Sequence, residues 1–371
     1  IIEINKNFIP AYLNLGNIYK KIGEIEKSQN YYEQIIKINP NYFEAYNNLM
    51  DLFEKTNQNK KLEKIISEAN IKFANNLVVQ LFYGKYLYNE ENYSNAISVL
   101  EGIKFPENQL HREGSKCLIL AKSYEKTGNY EQAFEYFRIT NNINSSNKNK
   151  NINKNNTFKT IEDRFNFLKE INNTKWISTN IEDFNEKPIF MIGFPRSGTT
   201  LLDTILRSHP SIDVIEEKPL VKNLIIEMRK LTKNNIQNLK NIKKQEIQEL
   251  RKNYFEHRNK YINNINNCEI IIDKMPLNII HIAEIIRVFP DAKFIVSLRH
   301  PYDCVLSCYM QSFKLNDAMS NFLNLNDTSN LYNQVMRLWT KYVEIFDLSY
   351  HEVKYEDIVL DFDKSIRKIL S

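Results

Sequence analysis

Over the first 140 residues, apolar positions recur three and four apart, in short stretches broken by turn residues. This is the pattern of short amphipathic helices. Beyond Pro188 the pattern changes. Strand-length apolar runs, "IFMI" (189–192), "EIIID" (269–273), "KFIVSL" (293–298) and "HEVKY" (351–355), alternate with helical stretches at 198–208, about 218–262, 277–288, 301–312 and 328–345. Strands that alternate with helices predict an α/β domain with a mostly parallel sheet. The expected architecture is a helical solenoid followed by an α/β domain.

The helical half repeats itself. "IIEINKNFIPAYLNLG" (1–16) and "IIKINPNYFEAYNNLM" (35–50) align at an offset of 34 residues. Tyr12, Leu15, Gly16, Tyr19, Ser28, Tyr32 and Pro40 fall where a tetratricopeptide repeat places its large, small and terminating residues. A second unit carries Tyr46, Leu49 and Phe53, a third Gly84, Leu87, Ala96 and Leu100, a fourth Ala121, Tyr124, Ala133 and Phe137. The third-to-fourth spacing is longer, which predicts an inserted turn near "KFPENQ". Small residues let paired helices approach, and Gly23 and Gly128 are expected to end the first helix of a pair. Residues 1–140 therefore read as about four repeats, truncated at the N-terminus. "NNINSSNKNKNINKNNT" (141–157) lacks apolar periodicity and reads as a linker. A short helical pattern follows around "IEDRFNFLKEI", and 158–371 form the second domain.

Composition narrows the partners. The 371 residues carry a net charge of +5, too little for a typical nucleic-acid binder and consistent with small anionic ligands. Cys117, Cys268, Cys304 and Cys308 form no C-x-x-C pair and no zinc spacing, so buried thiols are expected and neither a disulfide scaffold nor a metal site. No apolar run approaches the roughly 18 residues of a membrane span. With no visible signal peptide, the expected location is cytoplasmic.

Candidate chemistry gathers at "IFMIGFPRSGTTLLD" (189–203). A strand, Gly193, Gly198 and a helix have the outline of a phosphate loop, with Thr199 where a Walker loop has lysine. The chain has eight glycines, and Gly193 and Gly198 are the two beyond residue 130. Backbone N–H groups from Arg196 to Thr200 would converge at a helix N-terminus, a geometry suited to phosphate or sulfate. Ser197, Thr199 and Thr200 add hydroxyls, and Arg196 adds a charged fork. The missing lysine argues against a triphosphate.

Three blocks, "PIFMIGFPRSGTTLLDTILRSHPSIDVIEEKP", "DKMPLNIIHIAEIIRVFPDAKFIVSLRHPYDCVLSCYMQSF" and "VKYEDIVLD", resemble those of bacterial tetratricopeptide-repeat sulfotransferases, which are similar to tyrosylprotein sulfotransferases. The resemblance covers 188–371 and the domain order, and implies C-terminal truncation. It implies 3′-phosphoadenosine 5′-phosphosulfate (PAPS) as sulfuryl donor, with no metal. The loop residues Arg196, Ser197, Gly198, Thr199 and Thr200 would hold the 5′-phosphosulfate. Arg299, Ser307 and Tyr355 match residues around the 3′-phosphate and adenosine. Arg299 also ends a strand at the carboxyl edge, where open α/β sheets bind ligands. Lys274 matches a lysine that contacts the leaving phosphate, with Arg196 as second cation, and Glu217 matches the catalytic base.

Glu216 and His209 compete with Glu217. Adjacent side chains point apart, so one glutamate is expected to face the site, and His209 in "SHP" suits a cap. The implied acceptor is a hydroxyl, with protein or peptide tyrosine the candidate. The repeats are expected to recognise that acceptor or to join subunits as a homo-oligomer. Two other readings compete: a nucleotide or small-molecule kinase with a degenerate loop, for which Asp273 is the lone strand-end carboxylate for magnesium, and a non-catalytic repeat scaffold with a nucleotide-binding domain.

Overall fold

The computed structural model describes residues 2–146, 148–171, 186–262 and 269–370. The chain divides into two units, Ile1–Asn147 and Lys148–Ser371.

The first unit consists of α1 (Ile9–Ile22), α2 (Ile25–Ile38), α3 (Phe43–Lys55), α4 (Asn59–Lys72), α5 (Leu77–Asn89), α6 (Tyr93–Glu101), α7 (Leu110–Lys126) and α8 (Tyr130–Ser146). Small residues set the pair spacing. A Cβ on Gly16 would lie 2.5 Å from the Tyr32 ring, and one on Gly84 would lie 2.4 Å from Leu100 Cδ2. Ser28 Oγ donates to the Gly16 carbonyl at 2.8 Å across the first pair. Gly23 (φ 85°) caps α1 and Gly128 (φ 80°) follows α7, both left-handed as a helix stop requires. The long fourth spacing is a 3₁₀ turn, Glu107–Gln109, ahead of α7. Buried Lys116 fastens that insertion by donating to the Ile103 carbonyl at 2.9 Å.

The linker reading of 141–157 fails at both ends. α8 runs on to Ser146, and α9 (Asn155–Glu170) starts inside the Asn-rich stretch. Partners distant in sequence hold that start. Asn153 N–H donates to Asp317 at 2.8 Å, and Lys154 pairs with Asp327 at 2.5 Å.

After α9, the second unit runs β1 (Ile189–Gly193), α10 (Thr199–Arg207), β2 (Ile212–Glu216), α11 (Leu220–Thr232), α12 (Lys244–Asn259), β3 (Ile270–Lys274), α13 (Ile282–Val288), β4 (Lys293–Leu298), α14 (Pro301–Met310), α15 (Leu325–Ile345), β5 (Ser349–Lys354), α16 (Tyr355–Leu360) and α17 (Phe362–Leu370). The strand order is β2-β3-β1-β4-β5, and every pairing is parallel. β2 is a fifth strand that the apolar pattern did not predict, because buried Asp213 interrupts its short apolar run. The helix expected over 218–262 is two helices, divided where Lys233 and Asn234 turn left-handed (φ 53° and 60°).

Alternation along the strands fills both faces of the sheet. Phe190, Ile192, Phe294 and Val296 pack with α12, α13 and α15 on one face. Met191, Ile272, Ile295 and Val353 pack with Leu202 and Leu206 of α10 on the other. The chain leaves β1 toward β2 and leaves β4 toward β5. The connections thus diverge between neighbouring strands, which opens a crevice at their carboxyl ends.

Gly84→Ala is expected to destabilise the chain by about 1–3 kcal/mol through overpacking against Leu100. Combined with Leu100→Ala it should cost clearly less than the two changes summed, because the second removes the clash. Urea denaturation of the four chains measures this, and strict additivity would disprove the contact.

Candidate active site

The loop from Gly193 to Gly198 is built by close approach. A Cβ on Gly193 would lie 2.5 Å from the Ser297 carbonyl of β4, and one on Gly198 would lie 2.7 Å from the Tyr355 ring. Gly198 (φ 97°) leads into α10, and Arg196 is itself left-handed (φ 68°). Ser297 Oγ donates to the Ser197 carbonyl at 2.8 Å. Cys308 Sγ lies 3.4 Å from the Pro195 carbonyl as its donor. The first N–H groups of α10 have no intrahelical acceptors. The Ser197 N–H, expected among the converging donors, instead donates to the Phe194 carbonyl at 3.2 Å. Buried Ser197 Oγ has no partner among the described residues, a donor that suits an anion. Thr199 is buried and Thr200 exposed at the helix start.

The loop and the strand-end residues form one cluster. Arg196 Nε donates to Ser307 Oγ at 3.0 Å. Arg299 Nη1 donates to the Arg196 carbonyl at 3.4 Å, and its guanidinium carbon lies 4.7 Å from the Tyr355 ring centroid. Asp303 stands 3.6 Å from Arg299 Nη2, while Arg299 Nε is buried without a partner among the described residues. Two cations, a hydroxyl and a ring thus meet beside the loop.

Lys274 ends β3 and is fully buried. Its ammonium lies 2.8 Å from Glu216 Oε1, 3.5 Å from Glu217 Oε1 and 3.6 Å from Asp203 Oδ2. Both glutamates reach it, contrary to the expectation that one would turn away. The cause is the left-handed backbone of Glu217 (φ 50°), which breaks strand alternation and is fixed by its N–H on the Lys274 carbonyl at 2.8 Å. The hydrogen bond from Lys274 holds the Glu216 carboxyl below its usual range. His209 is exposed, and its Nδ1 accepts the Ser211 N–H at 3.2 Å within the α10–β2 turn.

Sequence reasoning missed Asp203 and Arg207. Asp203 is buried on α10, and Arg207, one turn on, grips it with hydrogen bonds of 2.8–3.0 Å. Burial pushes the Asp203 carboxyl up, against the pull of Arg207. The available signal was a charged i, i+4 pair, "DTILR", on an otherwise uncharged helix. Asp273 points to the opposite face of the sheet from Lys274, where it accepts the Tyr254 hydroxyl at 2.9 Å. The segments carrying Glu217 and Lys274 continue into Lys222 and Leu277, which line a cleft of about 900 Å³.

Residues 188–371 match the model of the sulfotransferase family, and through this segment the chain belongs to that family. Residues 9–42 and 117–138 match the tetratricopeptide repeat. An uncharacterized protein of Aquifex aeolicus is 26% identical over 194 residues, 50% of this chain and 25% of the relative. The chain thus spans about a quarter of the length of that curated relative. Among solved structures, Pseudomonas aeruginosa pilF is 22% identical with a TM-score of 0.34, covering 44% of this chain and 68% of that one. Sulfotransferase STF9 of Mycobacterium avium is 14% identical with a TM-score of 0.31, covering 75% and 82%.

Burial raises the Asp273 carboxyl to about 7, against about 3.9 in an unfolded chain. Between these values the folded chain binds the extra proton, so this group's contribution to stability is lost as pH rises through about 7. Asp273→Asn should remove that slope. Urea midpoints of parent and variant at about pH 5 and about pH 8 test it, and parallel behaviour would refute it.

Proposed function

We propose that the chain is a PAPS-dependent sulfotransferase acting on a hydroxyl acceptor. The observation that carries the reading is the convergence on one sheet edge of the phosphate loop, the Arg196–Ser307–Arg299–Tyr355 cluster and Lys274 with its glutamates. Unpartnered Ser197 Oγ and Arg299 Nε are donors suited to a nucleotide that carries two anionic groups.

In this reading, Ser197, Gly198, Thr199 and Thr200 hold the 5′-phosphosulfate, and Arg299, Ser307 and Tyr355 hold the 3′-phosphate and adenosine. The donor supplies a sulfuryl group on a phosphate leaving group. Glu217 takes the acceptor's proton as the acceptor oxygen bonds to sulfur. Lys274 and Arg196 neutralise the charge left on the phosphate oxygen as its bond to sulfur breaks. The cleft beyond Lys222 and Leu277 is where the acceptor's body would enter. A protein or peptide tyrosine is the proposed acceptor, with the repeats engaging the protein that carries it or a second subunit. No helix among the described residues is long and apolar enough to cross a membrane, which is compatible with the proposed cytoplasmic location.

Glu217→Gln is expected to lower single-turnover sulfation by about 10²–10⁴-fold while keeping adenosine 3′,5′-bisphosphate affinity. Turnover close to the parent's would remove Glu217 as base. A collapse in His209→Gln would then point to histidine.

Arg299→Ala should weaken adenosine 3′,5′-bisphosphate by about 1.5–3 kcal/mol in calorimetry, and adenosine 5′-phosphosulfate far less. Equal losses would separate Arg299 from the 3′-phosphate. ATP binding with magnesium-dependent phosphate transfer would establish the kinase reading instead. Nucleotide binding with no transfer to any hydroxyl would establish the scaffold.

A further inference from the structure

The three carboxylates around Lys274 are not equivalent. Glu216 and Glu217 are 48% and 56% exposed, whereas Asp203 is 4% exposed. Arg207 grips Asp203 through both carboxylate oxygens and lies 4.0 Å from Glu216. When all are ionised, two cations face three carboxylates. An anion can join such a cluster only if a carboxylate gives way. A half-exposed glutamate can turn into water at small cost, but a buried, doubly held aspartate cannot.

We infer that Asp203 is a positioning residue, the permanent counter-ion that keeps Lys274 charged and aimed at the loop, and that Glu216 is an exchangeable cover which an incoming donor anion displaces. This rests on the sulfuryl-transfer reading. Full burial of Lys274 fits the arrangement, since its ammonium is sealed while Glu216 sits on it. The charged groups facing Lys274 are Asp203 and Arg207 from α10 and Glu216 and Glu217 from the end of β2, with Lys218 acting on Glu216. Asp273 lies across the sheet with Tyr254.

A buried ammonium that loses a counter-charge sheds its proton more readily. The test follows Lys274 by NMR in a chain with ¹³Cε-labelled lysine, the signal being assigned through Lys274→Arg. In Asp203→Asn, Lys274 should titrate lower than in the parent by about 1 pH unit or more, and the alkaline limb of the single-turnover profile should move with it. Asp203→Glu should restore part of both, which a merely structural role would not predict. Glu216→Gln, at a half-exposed position that tolerates substitution, should bind adenosine 3′,5′-bisphosphate at least about threefold tighter, because the competing carboxylate is gone. An unshifted Lys274 titration in Asp203→Asn overturns the inference, as does unchanged or weaker binding in Glu216→Gln. A parent chain that neither binds the bisphosphate nor transfers sulfuryl sinks the functional reading instead, and the titration still decides whether Asp203 holds Lys274.

Discussion

The candidate site depends on a constraint of two missing methyl groups. The loop can lie against β4 and α16 only because Gly193 and Gly198 have no Cβ to strike the Ser297 carbonyl and the Tyr355 ring. Once it lies there, its carbonyls are taken one after another. Those of Pro195, Arg196 and Ser197 accept from Cys308, Arg299 and Ser297. A peptide unit whose carbonyl is tied inward turns its N–H outward. For the Pro195 and Ser197 units this leaves the N–H groups of Arg196 and Gly198 to join the free N–H groups of α10, while the Ser197 N–H is used within the loop, donating to the Phe194 carbonyl at 3.2 Å. The apolar packing of α10 through Leu202 and Leu206 then fixes the direction of the whole nest.

Backbone strain marks the same place. Asn57, Asn75, Glu91, Lys233 and Asn234 have positive φ just after helices, where left-handed residues stop a helix. Arg196 and Glu217 have positive φ without that excuse, one ahead of α10 and the other past β2. Such residues cost about 1–3 kcal/mol each and persist where their surroundings over-determine them. Here the surroundings are known. Arg196 is held through its side chain by Ser307 and through its carbonyl by Arg299. Glu217 is held by its N–H on Lys274. In both cases the strain places a charged side chain where regular geometry would not.

Much of this was legible in the sequence because local patterns carried it. The loop and its glycines, the repeat spacing and "KFIVSL" as β4 all follow from chemistry within a few residues. What was not legible depended on distant partners. β2 is stabilised by pairing with β3, and its buried Asp213 hides it from an apolar count. The start of α9 in the Asn-rich stretch is held by Asp317 and Asp327. The two glutamates share Lys274 because of one backbone angle that no residue pattern announces. The role of Asp203 depends on Lys274, which β3 brings within 3.6 Å of it.

The position of Lys274 bears on why this loop lacks a lysine of its own. A lysine at the position of Thr199 would belong to the loop itself. Thr199 is instead buried as α10 begins, and the cation comes from β3, under the helix. A buried charge acts through a lower effective dielectric, so it has more effect on a developing negative charge than a hydrated one. Burial also makes that charge dependent on neighbouring carboxylates, since an uncompensated ammonium would give up its proton. The carboxylates that satisfy this need lie within 3.6 Å of Lys274. One of them is the proposed base. In the proposed reaction, the cation and the proton acceptor are therefore a single electrostatic unit. A proton taken by Glu217 lowers the negative charge around Lys274 in the same step that the leaving phosphate oxygen calls on that lysine.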